Sequence, residues 1–294
     1  MMTDKNLARI ARASETFAMV AVDQREALRG MFAAHQSEPV PDSMLAQFKV
    51  DVAEVLSPYG SALLVDEQFG LKPIMDAGVL NPTCGLIVAM DELIGPPGGA
   101  AVDTAIDHAV DPQRVKEIGG AALKLLVFYR PDDDPETRNK LAIEFVSACE
   151  KVGLPSVLEI ICRPGKDATA FNREQALIDA AAEAATWNPS LYKAEVPYYG
   201  KGDPKLITEA SKKISDAIGR PWVVLSNGVA AEDFADAVKA SCLGGASGFL
   251  AGRAIWADVV GLPNYKEELV NRSIARLTHL CEIVDEFGKP FTSH

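Results

Sequence analysis

The chain has 294 residues, 48% of them apolar and 24% charged, a balance typical of a folded globular protein and not of a disordered one. Its formal net charge of −12, together with the lack of any apolar run near the ~18 residues that span a bilayer, argues against nucleic acid and membranes as partners. Five scattered cysteines without a CxxC pair, and an N-terminus without the apolar core of a signal peptide, predict a cytoplasmic protein.

Short, continuously apolar runs recur along the chain, as expected for parallel strands that are covered on both faces. They are Phe17–Val22, Ala62–Val65, Leu86–Ala89, Leu123–Val127, Val157–Ile161, Leu191–Val196, Trp222–Leu225 and Gly248–Ala251. Helical spacing marks the segments Ser43–Leu56, Glu136–Val152, Arg173–Ala185, Pro204–Ile218, Glu232–Cys242 and Glu267–Phe287. Strands that alternate with helices in this way predict an α/β fold, a TIM (β/α)8 barrel that forms one domain over residues 1–294.

A doubly wound sheet is the alternative to a barrel, and it would usually place a glycine-rich turn after its first strand. Here the first apolar run leads into Asp23-Gln24-Arg25, which favours the barrel. The stretch Gly95–Ala101 (GPPGGAA) is too short for a domain linker. We therefore expect it to form an elaborated loop after the third strand.

Lys193 interrupts a run, LYKAEV, that otherwise has the pattern of a buried sixth strand. Barrels carry their active sites at the carboxyl ends of the strands, and a buried charge there costs solvation energy. A lysine amine in a poorly solvated site can exist as the free nucleophile that attacks a ketone to form an imine. The alternative is a structural ion pair with Glu195, which lies on the same face of the strand.

Two further charged residues occupy the predicted fourth and fifth strands, Lys124 within LKLL and Glu159 within LEII. Layers inside a barrel draw on alternate strands, so the ammonium group of Lys124 can meet that of Lys193. It would favour a neutral neighbouring amine and bind an anionic intermediate, unless it only pairs with a carboxylate. Glu159 lies between the two lysine strands, where it could transfer protons at the reacting carbon, act as a counter-ion, or do both.

Acidic residues follow the first three predicted strands. One carboxylate at a strand end could be a helix cap, but acids at three successive ends indicate a polar rim around a pocket. We expect Asp23 and, second, Asp66 to belong to the site, and Glu67, Asp91 and Glu92 to be solvated or structural.

Two glycine-containing turns, Ser226-Asn227-Gly228 and Ala251-Gly252-Arg253, follow the predicted seventh and eighth strands. Barrels often bind phosphate at these two loops through backbone amides and the N-terminus of a short helix. Arg253 would add a planar, bidentate cation. The pair of turns therefore predicts a phosphate site.

The histidines do not have the spacing of metal ligands or of a Ser-His-Asp triad. His35, His108, His279 and His294 all fall outside the predicted strand ends. We therefore predict a site without metal and, since no redox motif is present either, without a cofactor. A magnesium ion on Asp66 or Asp91 stays open.

Motifs spread along the chain together resemble the class I tagatose-bisphosphate aldolase family, and within it the sulfofructose-1-phosphate aldolases of sulfoquinovose degradation. They are AVDQRE at Ala21–Glu26, LKLLV at Leu123–Val127, LE at Leu158–Glu159, LYKAEVP at Leu191–Pro197, LSNGV at Leu225–Val229 and FLAGRAIW at Phe249–Trp256. The similarity extends from about Phe17 to Glu286.

The resemblance implies that Lys193 forms the Schiff base and that Glu159, Lys124 and Asp23 supply acid, base and electrostatic support. It also implies phosphate binding at the turns Ser226–Gly228 and Gly252–Arg253, and cleavage into dihydroxyacetone phosphate and sulfolactaldehyde.

The sequence departs from the family motifs at Gly165-Lys166-Asp167 and at Asn227, and both departures concern anion recognition. They leave open which anion the substrate carries at its distal end, the end away from the bound phosphate. Gln24, Arg25 and Arg163 are candidates for binding that end. A ketose bisphosphate aldolase, a phosphosugar isomerase and a non-catalytic sugar-phosphate sensor remain alternatives. A phosphorylated ketose is the expected partner, and barrels of this kind commonly form homo-oligomers.

Overall fold

The computed structural model of the chain describes residues 4–165 and 171–294. Ten strands lie in these ranges: β1 (Phe17–Ala21), β2 (Ala62–Asp66), β3 (Gly85–Ala89), β4 (Asp91–Ile94), β5 (Asp103–Ile106), β6 (Ala122–Tyr129), β7 (Ser156–Cys162), β8 (Leu191–Glu195), β9 (Trp222–Leu225) and β10 (Gly248–Ala251). Eight of them close into a barrel in the order β1-β10-β9-β8-β7-β6-β3-β2, and every neighbouring pair is parallel. The fold is a TIM barrel, as the sequence predicts, and the doubly wound alternative is wrong because the sheet is closed.

The α-helices of the described ranges are α1 (Asp4–Leu7), α2 (Glu26–Ala33), α3 (Asp42–Leu56), α4 (Lys72–Ala77), α5 (Pro112–Glu117), α6 (Pro135–Val152), α7 (Arg173–Trp187), α8 (Pro204–Ile218), α9 (Phe234–Leu243), α10 (Arg253–Trp256), α11 (Tyr265–Glu268) and α12 (Ile274–Phe287). Side chains of Asp134, Asn172 and Asp203 cap the long helices α6, α7 and α8 at their first turns. Gly153 and Gly219 end α6 and α8 with left-handed backbone. No helix in these ranges is long and apolar enough to cross a membrane.

The third predicted strand is followed by an antiparallel hairpin of β4 and β5, whose tip is the predicted elaborated loop. Leu93 and Ala101 of this hairpin pack on Leu126, Phe128 and Ile161. The hairpin therefore covers the carboxyl ends of the two barrel strands that carry these residues, β6 and β7. That one domain spans residues 1–294 stays a prediction.

Successive side chains on each barrel strand point alternately outward to the helices and inward to the barrel axis. On β8, Tyr192 and Ala194 belong to the outer core, whereas Leu191 belongs to a separate inner core. Lys193 and Glu195 therefore share the inward face with Leu191. The inner core is apolar at the amino ends of the strands, so the charged residues are confined to the carboxyl ends.

Candidate active site

The carboxyl ends of the barrel strands surround a buried layer of charged side chains, supplied by the strands and their following turns, by the β4–β5 hairpin and by helix α3. Its members, none more than 6% exposed, are Asp23, Lys49, Asp66, Asp91, Lys124, Glu159 and Lys193. Buried charges are tolerated when they are paired and hydrogen-bonded, and this layer meets that condition by alternating cations with carboxylates.

Lys193 and Lys124 both contact one oxygen of Glu159. Glu159 and Lys193 are opposite each other in the parallel register of β7 and β8. Nζ of Lys193 donates to Oε2 of Glu159 at 2.9 Å, and Nζ of Lys124 lies 3.0 Å from the same oxygen. The sequence prediction that Glu159 lies between the two lysines is therefore confirmed.

Lys124 has two further carboxylate partners. Its Nζ donates to Oδ2 of Asp23 at 3.0 Å and to Oδ2 of Asp91 at 2.8 Å. Burial alone would lower the pKa of Lys124, but the charges of Asp23, Asp91 and Glu159 raise it well above its ordinary value. Lys124 is therefore a cation at neutral pH.

Asp23 is likewise held in its charged form. Burial acts to raise the pKa of this carboxyl, but the nearby charges of Lys124 and Lys193 outweigh burial and hold the pKa below its usual range. Within the described residues, Lys193 makes a single ion pair, to Glu159. Lys193 is therefore held by fewer ion pairs than Lys124. A nucleophile must be free in this way to approach its substrate.

Asp91 was expected to be solvated or structural, and the first of these alternatives is wrong, because its side chain is fully buried. Besides Lys124, it accepts from the backbone N–H of Leu126 at 3.0 Å and from Nη2 of Arg25 at 3.2 Å. The sequence pattern placed it at the end of the third strand, whereas it is the first residue of β4 and the hairpin turns it into the barrel. Arg25 also lies 4.0 Å from Asp66, so its buried guanidinium is already engaged by carboxylates.

Lys49 was missed by the sequence reasoning. It lies on α3, is fully buried, and its Nζ donates to the carbonyls of Val22 and Gln24 at 2.7 Å each and to the carboxylate of Asp66. Burial lowers its pKa, against the opposing charge of Asp66. Its signal in the sequence is a charge on the apolar face of a helix, four residues after Leu45.

A second set of polar groups lies around Arg253. Its Nη2 donates to Oδ1 of Asn227 at 2.6 Å, and Nδ2 of Asn227 donates to Oε1 of Glu195 at 3.0 Å. Arg163 approaches the same Glu195 oxygen at 3.6 Å. The alternative that Lys193 and Glu195 form an ion pair is therefore wrong, since each has different partners.

The glycines of the two turns are required by backbone geometry. Gly228 has a left-handed φ of 76°, and a Cβ at Gly252 would lie 2.3 Å from the carbonyl oxygen of Ala21. Ser226, two residues before Gly228, is buried, and the buried Oε1 of Gln24 has no hydrogen-bond partner among the described residues. Of the sequence departures noted above, Lys166 and Asp167 lie outside the described residues.

Within the two described ranges, no group of three or more His, Cys, Asp or Glu side chains is placed to hold a metal ion. The two carboxylates considered for magnesium are hydrogen-bonded to cations, Asp66 to Lys49 and Asp91 to Lys124. A site without metal or cofactor stays a prediction.

Comparison with known proteins identifies the family. Residues 17–258 match the model of the DeoC/LacD family aldolases. Tagatose 1,6-diphosphate aldolases of Staphylococcus aureus strains Newman and N315 are each 31% identical over 292 residues, covering 90% of this chain and 88% of theirs.

Solved structures agree in fold. A fructose-bisphosphate aldolase from Plasmodium falciparum superimposes with a TM-score of 0.74 at 15% identity, covering 98% of this chain and 95% of that one. An archaeal fructose 1,6-bisphosphate aldolase gives a TM-score of 0.64 at 15% identity, covering 97% of this chain and 100% of that one. The resemblance to class I aldolases is confirmed at the level of the family, while the sulfofructose-1-phosphate subgroup stays a prediction. The chain belongs to the DeoC/LacD family of class I aldolases and is therefore a lyase.

Proposed function

We propose that Lys193 forms a Schiff base with a ketose 1-phosphate, which is then cleaved to dihydroxyacetone phosphate and a three-carbon aldehyde. The observation that carries this proposal is the contact of both lysine ammonium groups with Oε2 of Glu159, at 2.9 Å and 3.0 Å. The nucleophile, a proton acceptor and a fixed cation then lie within hydrogen-bond reach of one another, as imine chemistry requires.

Formation of the Schiff base can be assigned to named residues. Glu159 takes a proton from Lys193, whose free amine adds to the ketone carbon. Addition leaves a positive charge on the nitrogen and a negative charge on the oxygen. Glu159 passes its proton to this oxygen and then carries a second proton from the nitrogen to the resulting hydroxyl, which leaves as water and gives the iminium ion. We assign these transfers to Glu159 and Lys193, because Nζ of Lys193 and Oε2 of Glu159 are already hydrogen-bonded.

Carbon–carbon cleavage follows from the iminium ion. Glu159 or Asp23 removes the proton from the hydroxyl one carbon beyond the bond that breaks, and the bonding electrons pass to the iminium to form an enamine. The aldehyde leaves, the enamine is reprotonated on carbon, and water hydrolyses the imine to release dihydroxyacetone phosphate and Lys193. Lys124, kept charged by three carboxylates, stabilises negative charge on the oxygens without giving up its proton.

The phosphate of the substrate is assigned to the two turns after β9 and β10. Arg253 offers a guanidinium group, Ser226 a hydroxyl, and Gly228 and Gly252 their backbone N–H groups. Gln24 and Arg163 are assigned to the distal end of the substrate. Arg25, predicted for the same end, is held by Asp91 and Asp66, so we give it the role of orienting those carboxylates.

We propose sulfofructose 1-phosphate as the substrate, which adds sulfolactaldehyde as the second product. A sulfonate carries one charge, whereas a phosphate carries nearly two and accepts stronger hydrogen bonds. Arg25 is buried between two carboxylates, whereas Arg163 is partly exposed and lies 3.6 Å from one carboxylate, that of Glu195. We therefore assign Arg163 to the distal end, where a single cation suits a monoanion. The motif resemblance described above supports the same substrate.

Tagatose 1,6-bisphosphate is the second candidate, favoured by the curated Staphylococcus aureus relatives at 31% identity. A phosphosugar isomerase or a sugar-phosphate sensor would make no use of an imine lysine.

Measurement of kcat/KM for sulfofructose 1-phosphate, tagatose 1,6-bisphosphate and fructose 1,6-bisphosphate tests the proposal. We expect a preference of about 100-fold for the sulfonate, a ratio that polar recognition commonly achieves. A preference for either bisphosphate would overturn the sulfonate assignment but leave the aldolase chemistry intact. Isomerised ketose without aldehyde release, or binding without turnover, would overturn the aldolase itself.

A further inference from the structure

Glu195 is a fully buried carboxylate that the proposed reaction does not use. It is the last residue of β8, two positions beyond Lys193 on the same inward face. Neither of its oxygens contacts Lys193, Lys124 or Asp23 in the described residues. Burying a charge costs solvation free energy, so a buried carboxylate that takes no part in the reaction must have another role.

Its contacts lead to the proposed phosphate end of the site. Oε2 of Glu195 accepts from the backbone N–H of Cys162 at 2.8 Å, which fixes the carboxylate on β7. Oε1 accepts from Nδ2 of Asn227 at 3.0 Å, and Oδ1 of Asn227 accepts from Nη2 of Arg253 at 2.6 Å. A continuous hydrogen-bonded chain therefore joins Glu195 to the guanidinium of Arg253.

The chemistry of the three groups permits only one orientation of the Asn227 amide. A carboxylate only accepts hydrogen bonds and a guanidinium only donates them. The amide must therefore turn its nitrogen to Glu195 and its oxygen to Arg253. Glu195 sets this orientation, and Arg253 is held by the oxygen that results.

Arg173 contributes to compensating the charge of Glu195. Its Nη2 lies 3.5 Å from Oε1 of Glu195, its Nη1 donates to the carbonyl of Val196 at 3.0 Å, and its guanidinium stacks 3.8 Å from the ring centre of Tyr199. Tyr199 has a left-handed φ of 54° and packs against Gly228 in the turn after β9. The carboxylate and the turn that carries Asn227 are thereby held as one unit.

We propose that Glu195 is a positioning residue that acts through Asn227 to pre-orient Arg253 for the phosphate of the substrate. This inference rests on the proposed function, because it takes Arg253 as the phosphate ligand. Glu195 itself does not touch substrate. Its removal should weaken binding of a phosphorylated ketone and leave binding of the unphosphorylated ketone unchanged.

The test is to trap the Schiff base with borohydride over a range of ketone concentrations, once with dihydroxyacetone phosphate and once with dihydroxyacetone. Glu195→Gln removes the charge and turns one of the two acceptor oxygens, on Cys162 or on Asn227, into a donor. Asn227→Ala removes the link from its other end. We expect each to raise the half-saturating concentration of dihydroxyacetone phosphate about tenfold, as for one lost charge-assisted hydrogen bond. The double variant should be no weaker than either single variant, because both act in one chain.

The matched control is Asn264→Ala. Asn264 is exposed and its amide contacts Glu267 and Glu268, so this variant should bind both ketones as the unaltered chain does. If the Glu195→Gln variant fails to fold, the Asn227→Ala variant still tests the inference. The side chain of Asn227 is only partly buried, so its removal should leave the fold intact. The inference would be overturned if the variants left the half-saturating concentration of dihydroxyacetone phosphate unchanged, or raised that of dihydroxyacetone equally. The proposed function would still stand, provided that the unaltered chain is trapped. No trapping of the unaltered chain would overturn both.

Discussion

Oε2 of Glu159 accepts a hydrogen bond from Nζ of Lys193 at 2.9 Å, across the β7–β8 register in which the two residues are direct neighbours. Backbone hydrogen bonds fix this register and so keep the two side chains on neighbouring positions of the same inward face. The same oxygen also meets Lys124 at 3.0 Å. One atom thus couples the proposed nucleophile to a fixed cation.

Glu159→Gln should show what that shared oxygen contributes. The amide keeps the shape of the side chain but cannot take the proton of Lys193. We expect kcat to fall by about 100-fold or more, the usual contribution of a general acid–base group. Steady-state kinetics on the best substrate measures this change, with thermal unfolding as the control for folding. A kcat within about threefold of the unaltered chain would assign proton transfer to another group.

Asp23 should stabilise the fold in a pH-dependent way. Because its folded pKa is below the ordinary value, its contribution is fully present above the unfolded pKa of about 3.9 and is lost as pH falls below that value toward the folded pKa. The stability difference between the unaltered chain and Asp23→Asn should therefore be constant from neutral pH to about pH 5 and shrink on further acidification.

Urea unfolding at several pH values measures this difference. A gap that widens as the pH falls below 4 would mean that the folded pKa of Asp23 is raised and not lowered.

Lys49 and Asp66 should prove energetically coupled. Lys49→Met leaves the fully buried carboxylate of Asp66 facing the guanidinium of Arg25 at 4.0 Å as its remaining ion-pair partner. We expect a loss of about 3–5 kcal/mol of unfolding free energy, the usual cost of breaking a buried pair. Adding Asp66→Asn should recover part of that loss, because no uncompensated charge then remains.

A double-mutant cycle by denaturant unfolding gives the coupling energy of this pair. Strict additivity of the two single changes would show that Lys49 acts through its contacts with the carbonyls of Val22 and Gln24 alone.

The fold could be predicted from the sequence because parallel barrel strands, buried on both faces, leave continuous apolar runs. Lys124, Glu159 and Lys193 stand out for the same reason, as charges inside such runs. Their spacing on successive strands was enough to bring them together, since strand order in the ring follows chain order for β6, β7 and β8.

Other parts of the site depend on packing that no local pattern records. Asp91 reaches Lys124 only because β4 and β5 form a hairpin that turns back over the barrel, and a strand-end pattern does not show that turn. Lys49 reaches Asp66 from a helix outside the barrel, so no strand pattern includes it. The bonds of Asn227 to Glu195 and Arg253 join three segments distant in sequence.

Lys193 is, in the proposed reaction, the amine that captures the ketone. The most direct measurement is borohydride reduction in the presence of dihydroxyacetone phosphate, followed by peptide mass spectrometry to locate the adduct. We expect one adduct, on Lys193, and none in the Lys193→Met variant. Lys205 lies at the start of α8, so the Lys205→Met variant should be labelled to the same extent as the unaltered chain. An adduct on Lys124 or Lys49, or a chain that stays unlabelled at saturating ketone, would contradict the assignment of Lys193.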